Sequence, residues 1–253
     1  MKINVSDIQH FSIGDGDGIR TTVFLKGCNL HCPWCHNPET ISSKKQILKF
    51  STGNEEKGKL LTPEEILYEI LQDKLFYEES GGGVTISGGE PLLQVDALVA
   101  LLALIKQHDI SIIIDTAGNV EYACFEKINE YVNDYYFDFK ANNPADYKAI
   151  GGDYKLILGN IQKLIEAQKR VRIRIPIIPN FNSNKKYNEK TCSILKRVGC
   201  ERVDLLPFHR LGSGKYQALG LEYKYKDYKP FSNEKLEEIL EIYKKYFDAK
   251  IEE

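Results

Sequence analysis

No stretch of this chain is apolar for the length of a bilayer crossing, and its opening residues, MKINVSDIQH, lack the unbroken apolar core of a secretory leader. The expectation is a cytoplasmic protein with no membrane partner. An excess of one charge is also missing. Formal net charge is −2, so no global field draws the chain toward nucleic acid. Internal repeats and domain linkers are absent, and 253 residues suit one α/β barrel domain spanning 1–253. A hydrophobic fraction of 42% argues against disorder. Six cysteines in a reducing compartment do not make a disulfide framework. Three of them crowd between positions 28 and 35. Cys124, Cys192 and Cys200 are scattered and read as ordinary buried thiols.

What is present is an alternation of β-rich runs with helical patterns. Strands are predicted at Ile19–Leu25, Val84–Ser87, Ser111–Asp115, Tyr135–Phe139, Val171–Ile178 and Arg202–Leu206. Thr62-Pro63-Glu64-Glu65 opens a helix with a capping box and the stripe Ile66, Leu67, Ile70, Leu71. Leu92–Gln107 is apolar over a wide arc, and Ser232 caps a last helix with the stripe Leu236, Ile239, Leu240, Tyr243. Strands apolar on both faces and separated by helices imply a parallel sheet. Six units are too few for a closed eight-stranded barrel, leaving a partial barrel or an open doubly wound sheet. Residues 42–59, SSKKQILKFSTGNEEKGK, read as a polar surface loop.

Four strands end in a polar or glycine-rich group: Gly88-Gly89-Glu90, Asp115, Asp138-Phe139-Lys140 and Pro207-Phe208-His209. In parallel sheets that edge binds ligands. The first strand runs into Gly27-Cys28-Asn29-Leu30-His31-Cys32-Pro33-Trp34-Cys35-His36-Asn37, a CxxxCxxC spacing. Three thiolates in a short loop suit a soft metal. The absent fourth cysteine leaves two readings open. His31 or His36 completes a zinc site, or one position of an iron–sulfur cluster stays free for chemistry. Asp15-Gly16-Asp17-Gly18 fails as a calcium loop, since Arg20 and Lys26 stand where glycine and a bidentate acid are needed, and reads as a glycine-rich turn.

CxxxCxxC with Trp34 before its last cysteine resembles the radical S-adenosylmethionine (SAM) superfamily. The ordered segments DGDGIR, KGCNLHCPWCHNPET, SGGGVTISGGEP, IDTAG, DFK and LLPFHRLGSGKYQALG resemble, over nearly the whole chain, the glycyl radical enzyme activating enzymes. The resemblance implies a partial (β/α)6 TIM-like barrel of parallel strands. It implies one 4Fe–4S cluster on Cys28, Cys32 and Cys35, the catalytic centre, with an open iron that binds SAM. Cofactor contacts are expected from Trp34, Cys35, His36, Gly88, Gly89, Glu90, Asp115, Asp138, Phe139, Lys140, Arg174 and His209. Asp115, Thr116 and Asp138, with the carbonyl near Tyr136, are expected to hold a monovalent cation. The segment around Asp15 approaches the peptide substrate in this family. The implied reaction is reductive SAM cleavage, then removal of a hydrogen atom from a glycine of a partner protein. The expected partners are a glycyl radical enzyme, pyruvate formate-lyase, and a flavodoxin- or ferredoxin-type electron donor. Another glycyl radical enzyme or a small-molecule substrate is the alternative. Residues 41–61 lack the extra cysteines that many relatives insert. Two residues depart from the pattern: Asp17 stands where proline is expected, and Ala117 where asparagine is common.

Overall fold

The computed structural model describes residues 1–252. In chain order its strands are β1 (Ile3–Ser12), β2 (Arg20–Leu25), β3 (Gln46–Phe50), β4 (Gly53–Lys57), β5 (Lys59–Leu61), β6 (Gly83–Gly88), β7 (Ser111–Thr116), β8 (Asp134–Asp138), β9 (Arg170–Ile177), β10 (Arg202–Pro207) and β11 (Asp248–Ile251). The helices are α1 (Pro63–Leu71), α2 (Lys74–Ser80), α3 (Val95–Lys106), α4 (Tyr122–Glu126), α5 (Pro144–Ala149), α6 (Tyr154–Glu166), α7 (Lys185–Arg197), α8 (Ser213–Ala218) and α9 (Asn233–Lys244).

Nine strands form one sheet in the order β11-β10-β9-β8-β7-β6-β2-β1-β5. The run from β2 to β11 is parallel throughout, and its six leading members are the six strands expected. β1 and β5 add an antiparallel margin. The edge strands β5 and β11 are not paired with each other among the described residues, so the sheet is an incomplete barrel. Isoleucines of β6, β7 and β9 and the helices against them form the core. At the amino-terminal end of the strands, Arg20 is almost wholly buried. Its Nε donates to Thr85 Oγ1 at 2.8 Å, and its Nη2 to the carbonyls of Val84 and Ser111 at 2.7 and 3.1 Å. Burial lowers its pKa to about 10, so it stays charged near neutrality.

The helix starts follow their sequence signals. Glu65 N–H donates to Thr62 Oγ1 at 3.2 Å while Thr62 N–H donates to Glu65 Oε2 at 2.7 Å, a closed capping box. Ser232 caps α9, and its stripe residues are buried. The helix expected from Leu92 begins instead at Val95, because Pro91–Gln94 take a tighter 3-10 turn. The larger correction concerns residues 42–59. They are not a loop: β3 and β4 pair as an antiparallel hairpin in which Leu48 is fully buried.

Candidate active site

β2 ends at Leu25, and the chain turns into the cysteine loop at Gly27, whose φ of +109° lies in the region that favours glycine. Backbone hydrogen bonds fix the loop on several sides. Gly27 N–H donates to Thr40 O at 2.7 Å, Cys28 N–H to Ile41 O at 2.9 Å, and His31 N–H to Ile150 O at 2.8 Å. The turn after β6 lies flat against it, with Glu90 N–H donating to Gly27 O at 2.8 Å. A Cβ on Gly89 would stand 2.1 Å from Gly27 O, and one on Gly88 2.3 Å from Leu25 N. These two glycines are required by close backbone packing.

Cys28, Cys32 and Cys35 line one cavity of about 440 Å³. Burial pushes the Cys28 thiol up to about 11 and the Cys32 thiol up to about 12, and it raises Cys35 as well. The metal-free thiols are therefore protonated at neutral pH, and metal binding must release those protons. Among the described residues no three His, Cys, Asp or Glu side chains form a single-ion ligand set. Thiolates lining a volume suit a cluster, in which each cysteine takes a different iron. Trp34 packs against Phe181 at 4.9 Å between centroids and edge-on to Tyr225 at 6.4 Å. The His36 ring lies 3.8 Å from that of His209. Burial, then the neighbouring His209, lowers the His36 pKa to about 4, so the ring is neutral.

The opposite wall carries charge. β7, β8 and β9 are neighbours, and Asp138 sits in register with Arg174. Ser87 Oγ donates to Asp115 Oδ2 at 2.7 Å, and Arg174 Nη1 reaches the same oxygen at 3.4 Å. Lys140 Nζ donates to Asp138 Oδ2 at 2.7 Å. Asp115 Oδ1 and Asp138 Oδ1 are buried without a hydrogen-bond partner. Burial raises the Asp115 pKa to about 7 against the opposing pull of Arg174. Burial also works against the charges of Lys140 and Arg174, but the facing carboxylates overcome it and both pKa values rise. Two orphaned carboxylate oxygens on a cavity wall call for a cation or an ammonium group.

Residues 22–186 match the model of the radical SAM superfamily, which takes in the cysteine loop, the Gly88-Gly89 turn and the Asp115, Asp138 and Arg174 wall. The chain belongs to that superfamily. Within it, the chain is one of the glycyl radical enzyme activating enzymes. It is 38% identical over 233 residues to the pyruvate formate-lyase-activating enzyme of Clostridium pasteurianum, covering 91% of this chain and 92% of that one. It is 31% identical over 296 positions to the trans-4-hydroxy-L-proline dehydratase activating enzyme of Clostridioides difficile, covering 98% of each. A solved domain of a pyruvate-formate lyase-activating enzyme from Bacteroides vulgatus superposes with a TM-score of 0.57 at 25% identity, covering 67% of this chain and 98% of that domain. Radical SAM membership brings a 4Fe–4S cluster and SAM as cofactors, and the three-thiol loop fits the first.

The cavity of this radical SAM protein collects Cys28, Cys32, Trp34, Cys35, His36, Gly88, Gly89, Asp115, Thr116, Asp138, Lys140, Arg174 and His209, all expected from sequence. Two expected contacts are not on its wall. Phe139 is buried behind it against Tyr147, because consecutive strand residues face opposite ways and Asp138 takes the cavity side. Glu90 turns inward too. Its Oε1 accepts from Thr116 Oγ1 at 2.7 Å and Leu92 N–H at 3.1 Å, and its Oε2 from the N–H groups of Ala117 and Gly118 at 3.0 and 3.1 Å. It ties the β6 turn to the end of β7. Asp15 does line the cavity, accepting from Thr22 Oγ1 at 2.7 Å. Sequence reasoning misses Ser87, Glu252 and a clamp on the cysteine loop. In that clamp, Lys215 Nζ of α8 donates to Asn37 Oδ1 at 2.7 Å and Glu39 Oε1 at 2.6 Å. Ser87 is readable, since it immediately precedes the glycine pair. Lys215 lies within the segment LLPFHRLGSGKYQALG, but nothing in that segment points to a partner on the cysteine loop.

Proposed function

We propose that this chain is a cytoplasmic activase of pyruvate formate-lyase. What supports the reading is the 38% identity to the pyruvate formate-lyase activase of C. pasteurianum, against 31% to the hydroxyproline dehydratase activase, together with the lengths of the two alignments. That to the pyruvate formate-lyase activase of C. pasteurianum runs 233 positions, within this chain's 253 residues, whereas that to the hydroxyproline dehydratase activase runs 296. The second relative therefore carries residues with no counterpart here. Between Ile41 and Leu61 this chain has the β3–β4 hairpin and the short strand β5, and no cysteine.

Cys28, Cys32 and Cys35 would hold the cluster, and Asp115, Asp138, Lys140 and Arg174 the amino-acid end of SAM. When bound, these cofactors would supply a carbon-centred radical, with methionine as the other product, on receipt of one electron from a flavodoxin- or ferredoxin-type donor. The chain's own groups orient and shield. The buried aromatic packing of Trp34 excludes water from the cysteine side. The Asp138–Lys140 pair offers an anion and a cation to a zwitterion, and Asp115 and Asp138 leave oxygens for a monovalent cation. The hydrogen atom that such a radical would take would come from a glycine of the partner protein, with 5′-deoxyadenosine and a glycyl radical as the products. The unclosed sheet suits a substrate that is a loop of another protein.

The test is electron paramagnetic resonance of pyruvate formate-lyase after anaerobic incubation with the reduced, reconstituted enzyme and SAM. The expected result is a glycyl α-hydrogen doublet, with formate production rising in step. A doublet on another glycyl radical enzyme, and none on the lyase, keeps the reaction and replaces the partner. SAM cleavage with no doublet on any such protein points to a small-molecule substrate.

A further inference from the structure

Strand β11 brings a further carboxylate to the cavity. It pairs parallel to β10, with Leu205 opposite Ile251, and Glu252 N–H donates to Leu205 O at 3.0 Å. A parallel strand delivers its next residue to the carboxyl edge of the sheet, and Glu252 accordingly lines the cavity. Its Oε2 lies 3.1 Å from Arg174 Nη2, an ion pair without hydrogen-bond geometry, while Nη1 of the same guanidinium lies 3.4 Å from Asp115 Oδ2. The three side chains are 10, 13 and 14% exposed for Arg174, Glu252 and Asp115.

A guanidinium facing one carboxylate closes on it as a two-pronged fork. Arg174 is instead shared between two carboxylates, and its contact with Asp115 is single and long. Asp115 Oδ1 is buried without a hydrogen-bond partner, as Glu252 Oε2 is. The other nearby carboxylate, Asp138, is engaged by Lys140. Glu252 is therefore the one group among the described residues that forms an ion pair with the far side of Arg174.

We propose that Glu252 is a positioning residue for SAM binding. By holding one side of Arg174 it keeps the guanidinium from closing on Asp115, and so leaves Asp115 Oδ1 free for the incoming ligand or its accompanying cation. This rests on the reading that SAM occupies this cavity, but not on which protein is the partner.

The test uses the reconstituted holoenzyme and measures SAM affinity by equilibrium dialysis beside the rate of SAM cleavage. Glu252→Gln is expected to raise the SAM Kd by about 30-fold, the lower end of the cost of losing one partner of a buried charge pair. The loss should fall on affinity rather than on cleavage at saturating SAM. Glu252→Asp should recover most of it, and in an Arg174→Gln background Glu252→Gln should add nothing. Wild-type affinity in Glu252→Gln overturns the proposal. So does an effect of undiminished size in the Arg174→Gln background, since Glu252 would then act on its own. A wild-type holoenzyme that does not bind SAM at all fails the reading of the cavity itself, a distinct result.

Discussion

One wall of the cavity comes from a single loop after β2, and the other from strands β6, β7, β8, β9 and β11. The loop wall carries thiols, a buried indole and the His36 imidazole, whose ring lies 3.8 Å from that of His209 beyond β10. The strand wall carries Asp115, Asp138, Lys140, Arg174 and Glu252. A loop tied by its backbone spreads three thiols around a volume, as a cluster requires. Opposed charges need closer placement, and sheet register supplies it by setting Asp138 beside Arg174. The contrast supports the proposed division, in which the loop wall would hold the iron and the strand wall SAM.

The largest effect is expected on the loop wall. Cys28→Ala, Cys32→Ala and Cys35→Ala should each abolish SAM cleavage and lower iron well below the about four atoms per chain of one cubane. Iron quantification and the visible spectrum after anaerobic reconstitution check this. A colourless wild-type protein with one stoichiometric zinc would erase the comparison. A smaller effect is expected on the strand wall. Asp138→Ala leaves Lys140 without its buried partner and should weaken SAM binding by about 10- to 100-fold while iron content stays at wild-type level. Equal losses of iron and SAM affinity would merge the two walls into one unit. The smallest effect is expected outside both walls. Cys192→Ala and Cys200→Ala remove buried thiols and should cost about 1–2 kcal/mol of stability, with Cys124→Ala costing less because that residue is half-buried. All three should keep full iron content; loss of cluster from a folded Cys200→Ala protein would mean that the ligand set is wrong.

Much of this architecture is legible in the sequence because burial on both faces leaves continuous apolar runs such as Ile112-Ile113-Ile114. The strands that escape notice lie at the margins. β1 buries Ile3, Val5 and Ser12 but exposes Asp7 and Gln9, so no clean alternation appears. The β3–β4 hairpin buries only Leu48 among its ten strand residues and resembles a charged loop. β11, with no fully buried residue, is invisible for the same reason, and Glu252 goes unnoticed with it. At the site, the sequence does not separate adjacent residues of a strand end. Asp138 and Phe139 cannot both face the cavity. Glu90 looks like a cofactor contact because it comes directly after the glycine pair. Its acceptor bonds depend on Thr116, Ala117 and Gly118, which lie far along the chain.

The backbone bonds that hold the cysteine loop bear on damage and repair. Thr40, Ile41, Ile150 and the turn after β6 grip the loop through main-chain groups alone, none of which is an iron ligand. A zinc finger loses its shape with its metal, because the metal is what orders it. Here the main-chain bonds offer the loop a support that does not run through the metal. If oxygen strips the inorganic atoms, the expected product is a folded vessel with its thiols in place, open to refilling with iron and sulfide once reduced in the absence of air.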